Sequence, residues 1–223
     1  MSFENIEHNI KKILLDIGDR NTNLLAVTKT RTVDEINYAI HCGVRHIGEN
    51  RVQELLEKYD SIERDGVSIH LIGQLQTNKV KYIIDKVDLI HSVDSLRLAQ
   101  EISKRALAAG KIQDVLIEVN IGGEESKGGV DPDDLVPLLE NISKLPAIHV
   151  RGLMCIPPIA TQRHQNLKYF LKMKQFSVDI TEKKIDNIDM DILSMGMSGD
   201  YEDAIEAGST FIRVGRGIFG PRN

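Results

Sequence analysis

The stretch LLAVTKTRTVDEINYAIHCGVRHIGEN (24–50) decides the fold. It opens on a short apolar, β-branched run at 24–29 and passes through helical periodicity over 33–42. It then returns to a second strand-like run at 46–50. A strand, a helix and a strand joined this closely give parallel strands with a right-handed crossover.

The same unit recurs along the chain. Further strands are predicted at 68–73, 89–94, 115–120, 149–156, 191–196 and 211–216. Helices are predicted at 51–59, 77–86, 95–109, 132–143, 162–184 and 201–207. An extra amphipathic helix, Phe3–Ile17, precedes the first strand, with Ile6, Ile10, Ile13, Leu14 and Ile17 on one face. Asp94-Ser95 offers an N-cap, Pro132 a first-turn residue, and Gly110 and Gly208 helix stops. Eight units in 223 residues suit a closed (β/α)8 TIM barrel at the small end of its range, an α/β chain forming one domain over 1–223. Pattern alone does not show closure, so an open doubly wound sheet is the alternative.

Composition narrows the function. Lys+Arg 28 against Asp+Glu 33 gives a net charge of −5, which argues against a broadly basic nucleic-acid footprint. A hydrophobic content of 41% with 27% charged residues describes a soluble globular chain. The start, MSFENIEHNIKK, has no apolar leader, and no later run is long enough to span a membrane. Cys42 and Cys155 form neither a CxxC nor a disulfide framework and read as reduced thiols of a cytoplasmic protein.

In barrels the working groups gather where strands end. Lys29 ends the first strand, and alternation puts Leu25, Val27 and Lys29 on one face. If that face is the interior, an ammonium stands above apolar neighbours, where desolvation frees an amine to attack an aldehyde. A solvated strand-end lysine is the plain alternative. Near the other end, Gly196-Met197-Ser198-Gly199-Asp200 leads from a strand into a helix, with Asp200 as N-cap. Its amides and the Ser198 hydroxyl suit a phosphate. Gly215, Gly217 and Gly220 spell GxGxxG after the last strand, with only Pro221, Arg222 and Asn223 beyond. The expectation is therefore a tight anion-approaching loop, with no helix and no second dinucleotide-binding half to follow. Arg213 shares its face with Phe211 and Gly215, and if Ile212 and Val214 on the other face pack against the outer helices, it points into the barrel. An inward guanidinium needs a partner, either a ligand or an ion pair with Glu118 or Glu49.

Taken together, these residues resemble a known family. The stretches AVTKT (26–30), GENRVQE (48–54), HLIGQLQTNK (70–79), HSVDS (91–95), EVNIGGEESKGG (118–129), RGLMCIPP (151–158), LSMGMSGDYEDAIEAGST (193–210), IRVG (212–215) and IFG (218–220) follow in order over nearly the whole chain. The sequence is similar to the pyridoxal phosphate homeostasis proteins, also called the YggS/proline-synthetase co-transcribed family. That resemblance implies a fold-type III barrel, like the N-terminal domain of alanine racemase. It also implies pyridoxal 5'-phosphate (PLP) held as a covalent aldimine on Lys29. By motif, Ser198, Gly215 and Arg216 meet the phosphate with Met197 adjoining, Arg213 faces the pyridine nitrogen, and Asn50, His70 and Met154 line the ring pocket. The sequence departs from the family pattern at Arg31, Arg51 and Arg216, and at Ile69 and Leu71 beside the histidine. Lys127, in the ESKGG motif, is a second candidate for transient PLP contact.

The resemblance leads to a PLP carrier or regulator affecting amino-acid and keto-acid pools, with apo PLP-dependent enzymes as recipients. Chain end at Asn223 leaves no space for the second domain of the racemases, and the monomer is expected. Tyr38, Tyr59, Tyr82, Tyr169 and Tyr201 all fall in or beside helices, so none is assigned as an acid/base opposite Lys29. His70 and Cys155 read as packed pocket and core residues, and Cys42 and His164 as structural or surface ones. A PLP-dependent amino-acid racemase or decarboxylase is the alternative, and a barrel binding another sugar phosphate is a third reading.

Overall fold

A computed structural model describes residues 2–124 and 128–221. Eight parallel strands close on themselves in chain order: β1 (Asn23–Val27), β2 (His46–Glu49), β3 (Ser68–Leu71), β4 (Leu89–Val93), β5 (Gln113–Val119), β6 (Ile148–Cys155), β7 (Ile188–Met197) and β8 (Phe211–Val214), with β8 pairing back onto β1. The barrel is thus the architecture, and the open sheet is excluded. Closure follows from alternation. Leu24, Ala26, Ile212 and Val214 join the shell between sheet and helices, while Leu25, Val27, Ile72 and Phe211 pack inside.

The outer layer carries α1 (Phe3–Ile17), α2 (Val33–His41), α3 (Val52–Lys58), α4 (Leu96–Ala108), α5 (Leu135–Ile142), α6 (Leu167–Lys183), α7 (Tyr201–Glu206) and α8 (Arg216–Phe219). Helix α2 begins in a capping box: Thr32 accepts from the Glu35 amide, and Glu35 reaches back to the Thr32 amide. Helix α1 buries Ile6, Ile10, Ile13 and Ile17, but Leu14 lies off that face and is 42% exposed.

Three expectations need correction. The run 77–86 is only a 3-10 turn at Thr77–Tyr82: Gln76 gives no cap bond, and β-branched and aromatic residues follow in close order. The segment 162–184 becomes helical only at Leu167, because His164 has φ 62 and the Gln165 side chain takes up the amides of Thr161 and Gln162. A helix does follow β8: Arg216–Phe219 forms a single turn inside the GxGxxG stretch. That turn is too short to cover its side of the barrel. Helix α1 packs there against α8 and α2, with Asn9 Nδ2 donating to Ile218 O at 3.0 Å.

Candidate functional site

At the carboxyl ends of the strands lies an open cleft of about 620 Å³. Lys29, in the turn after β1, lines it together with Met197 at the end of β7, Ser198 just beyond, Arg213 in β8, and Gly215 and Arg216. The β6–α6 segment, from Ile156 to Ala160, forms the apolar wall. Residues from opposite ends of the sequence therefore meet because β1 and β8 are neighbours, with Leu25 in register with Arg213.

The loop after β7 is held from within. Gly196 has φ 88, and a Cβ there would stand 2.4 Å from the Ala204 Cβ, so glycine is what lets β7 turn against α7. Asp200 occupies the N-cap position of α7 but makes no cap bond there. Its carboxylate instead accepts from Met197 N at 2.7 Å and from Asn166 Nδ2 at 2.7 Å, fixing the loop rather than the helix. Gly217 N donates to Ser198 Oγ at 3.1 Å, which joins the loops after β7 and β8. The Ser198 hydroxyl proton is given to no described residue, and Arg216 stands beside it on the cleft.

Beneath the cleft, Arg213 is 4% exposed. Its Nη1 donates to Ser194 O at 2.6 Å and to Ser194 Oγ at 2.7 Å, and its Nη2 donates to Cys155 O at 2.8 Å. The ion pairs expected with Glu118 or Glu49 do not form among the described residues. Glu49 lies on the outer face, accepting from Thr28 Oγ1 at 2.8 Å and Lys58 Nζ at 3.0 Å. Glu118 faces inward and is pushed up to about 7 by burial, with Arg213 opposing and Asp94 reinforcing the shift. Burial also lowers Arg213 from its ordinary value, against the pull of nearby acids. Its Nε and one Nη2 hydrogen are left over for a ligand.

A string of three histidines runs down the barrel from Ser194. His91 Nδ1 lies 2.9 Å from Ser194 Oγ, His70 Nδ1 lies 2.8 Å from His91 Nε2, and His46 Nδ1 lies 3.1 Å from His70 Nε2. Phe211 packs against all three rings. Arg213 can only donate, so Ser194 Oγ accepts from it and gives its own proton to His91 Nδ1. That choice propagates: His91 donates from Nε2 to His70, and His70 donates from Nε2 to His46. Burial favours the neutral form of every ring. His70 is pushed down to about 3 by desolvation and then by His46, while His91 and His46 are also lowered, chiefly by burial.

His70 therefore sits inside the barrel, bonded to two other histidines, and does not line the cleft. Met154 is 1% exposed and packs on Leu89 and Leu116. Asn50 is half-buried at the end of β2, and its Oδ1 has no hydrogen-bond partner among the described residues. Burial pushes the Cys155 thiol up to about 12, as befits an inert core residue. None of the five tyrosines lines the cleft. Lys127 lies outside the described residues.

His46, His91 and Ser194 had no individual role in the sequence reading. Strand alternation carried the signal: Ile47, Ile69 and Ile90 belong to the outer shell, which sends His46, His70 and His91 inward. Their contact with one another depends on the barrel's stagger.

Comparison with known proteins gives four findings. The family profile described as alanine racemase, N-terminal domain, matches residues 1–223. A "Pyridoxal phosphate homeostasis protein" of Aquifex aeolicus is 46% identical over 205 residues, covering 92% of this chain and 89% of that one. The structure of PipY of Synechococcus elongatus with PLP bound superposes with a TM-score of 0.88 at 32% identity, covering 96% of this chain and 100% of that one. An alanine racemase of Streptomyces lavendulae shares the fold alone, at TM-score 0.81, 17% identity and 57% of its length.

Proposed function

This chain belongs to the pyridoxal phosphate homeostasis proteins, built on the alanine racemase N-terminal barrel, and on that premise we propose that it binds PLP in the cleft above Arg213 and serves PLP homeostasis as a carrier and regulator. One observation carries the reading: Lys29, Ser198, Arg213, Gly215 and Arg216 converge on a single cleft of about 620 Å³. That donor set fits the group. A hydroxyl with an uncommitted proton, a guanidinium and glycine-rich backbone suit a phosphate, and an amine on the same cleft suits an aldehyde.

When bound, PLP supplies an electrophilic carbonyl and a ring able to delocalise electrons. Lys29 Nζ, on the cleft, would be the amine that holds the cofactor through its aldehyde. Ser198, Gly215 and Arg216 hold the phosphate, with Met197 alongside. Arg213 would face the ring nitrogen, and a guanidinium, which only donates, would favour the unprotonated ring. Asn50, His70 and Met154 would lie behind the lining, around the ring.

The whole chain, 1–223, acts as one domain and as a monomer in the cytoplasm, handing PLP to apo enzymes and contacting neither nucleic acid nor membrane. Among the described residues no helix is long and apolar enough to cross a membrane, and Cys42 and Cys155 are unpaired. Borohydride reduction of the PLP-loaded protein followed by peptide mapping tests the site. The adduct is expected on Lys29 and absent from Lys29→Ala, whose far-UV spectrum stays native. An adduct on another lysine refutes the assignment, and steady amino-acid racemisation or decarboxylation refutes the carrier role.

A further inference from the structure

Lys29 sits in a tight turn whose chemistry is wrong for its sequence. Arg31 N donates to Thr28 O at 3.1 Å, which closes a four-residue turn with Lys29 and Thr30 at its centre. Thr30 has φ 62, while Lys29 does not enter the left-handed region. Positive φ at the second central residue alone is type II geometry, a position that glycine or asparagine fills. A β-branched residue there is an outlier that persists only when its surroundings impose it.

Those surroundings are a partly buried cluster on the outer face of the sheet, between β1, β2 and α3. The Thr30 amide donates to Glu54 Oε1. Lys58 Nζ grips the same Glu54 oxygen at 2.6 Å, Glu49 Oε1 at 3.0 Å and the Thr28 carbonyl at 3.0 Å. Thr28 Oγ1 completes the cluster on Glu49 Oε1 at 2.8 Å. Both neighbours of Lys29 are thus fastened from behind, and the lysine between them is left on the cleft. Against the desolvation of its burial, hydrogen bonds from Lys58 and Thr30 keep Glu54 below the ordinary carboxylate range, so it holds them as an anion.

We propose that Glu54, gripped by Lys58, is a positioning residue for Lys29: by capturing the Thr30 amide it holds the turn in its left-handed form and sets the lysine amine toward the PLP aldehyde. The proposal rests on Lys29 being the point of PLP attachment. In this reading Glu54 acts on Lys29 through the backbone, by way of the Thr30 amide.

The test separates aim from stability. Glu54→Ala removes the acceptor, Glu54→Gln keeps an oxygen in its place, and Thr30→Gly makes the turn indifferent to the clamp. Glu54→Ala is expected to weaken PLP binding about tenfold, or about 1.4 kcal/mol, the order of a left-handed threonine's conformational cost. Glu54→Gln and the double variant Glu54→Ala/Thr30→Gly are expected to bind near the wild-type level. In the PLP-free protein, the amide-to-α-proton NMR coupling of residue 30 should change in Glu54→Ala and stay native in Glu54→Gln. Should Glu54→Ala not fold, Lys58→Gln carries the same test, because it frees Glu54 while Glu49 keeps its Thr28 bond. An unchanged coupling, or a double variant that binds no better than Glu54→Ala, overturns the proposal. A wild-type protein that takes up no PLP sinks the functional reading instead, and the coupling measurement still decides this one.

Discussion

The histidine string makes stability depend on pH in a calculable way. Unfolded, His70 takes up a proton below about pH 6.5; folded, it does so only near about 3, because the barrel interior desolvates it and His46 stands beside it. Between those values the unfolded state binds the extra proton, so stability falls as pH falls through that window and is fully present above it. At pH 5 the difference for His70 alone is about 1.5 pH units at about 1.4 kcal/mol each, or about 2 kcal/mol. Glu118 works the other way, since its carboxyl is pushed up to about 7 and gains its proton in the fold first. A difference between two proteins removes that offset. His70→Gln keeps the string bonded, because an amide can accept from His91 and donate to His46, but it cannot titrate. Urea unfolding at pH 7 and pH 5 is the assay, and the variant should lose about 2 kcal/mol less than wild type over that interval. Equal losses would refute the reasoning, because His70 would not then be held neutral by the fold.

Three further outcomes follow from the site. Arg213→Met should cost about 3 kcal/mol in urea unfolding, because Ser194 O and Cys155 O lose their donors inside the barrel. Ser198→Ala should weaken PLP binding about fivefold by losing one hydrogen bond, while pyridoxal lacking the phosphate binds both proteins alike. Gly196→Ala should destabilise by about 2 kcal/mol and lower Tm, since its φ is 88 and Ala204 blocks the added methyl. Gly199→Ala, with nothing within 4 Å and no left-handed φ, should leave Tm unchanged.

Much of the site was legible before any fold was known. Alternation placed Lys29 above Leu25 and Val27, and Arg213 above Phe211, because one side of each strand had to feed the apolar shell of Ile212 and Val214. What could not be read was the identity of partners. Arg213 found backbone carbonyls and a serine rather than a carboxylate, and Glu49 found Lys58 on the far side of the sheet, one residue beyond an inward Gly48. The single turn after β8, and α1 packed beside it, were equally hidden, since a short amphipathic segment is helical only where a neighbour covers it.

The sequence by itself determined the order of strands and helices, which side of each strand is apolar, and where the glycines and basic residues cluster. These are local properties, set by side-chain period and backbone preference within a few residues. Tertiary structure alone decided closure, the meeting of Lys29 with Ser198 and Arg216, the end-to-end contact of His46, His70 and His91, and the clamp that Glu54 and Lys58 place behind Lys29. Each of these joins groups from different strands or helices, and only the register and stagger of a closed sheet bring such groups to hydrogen-bonding distance.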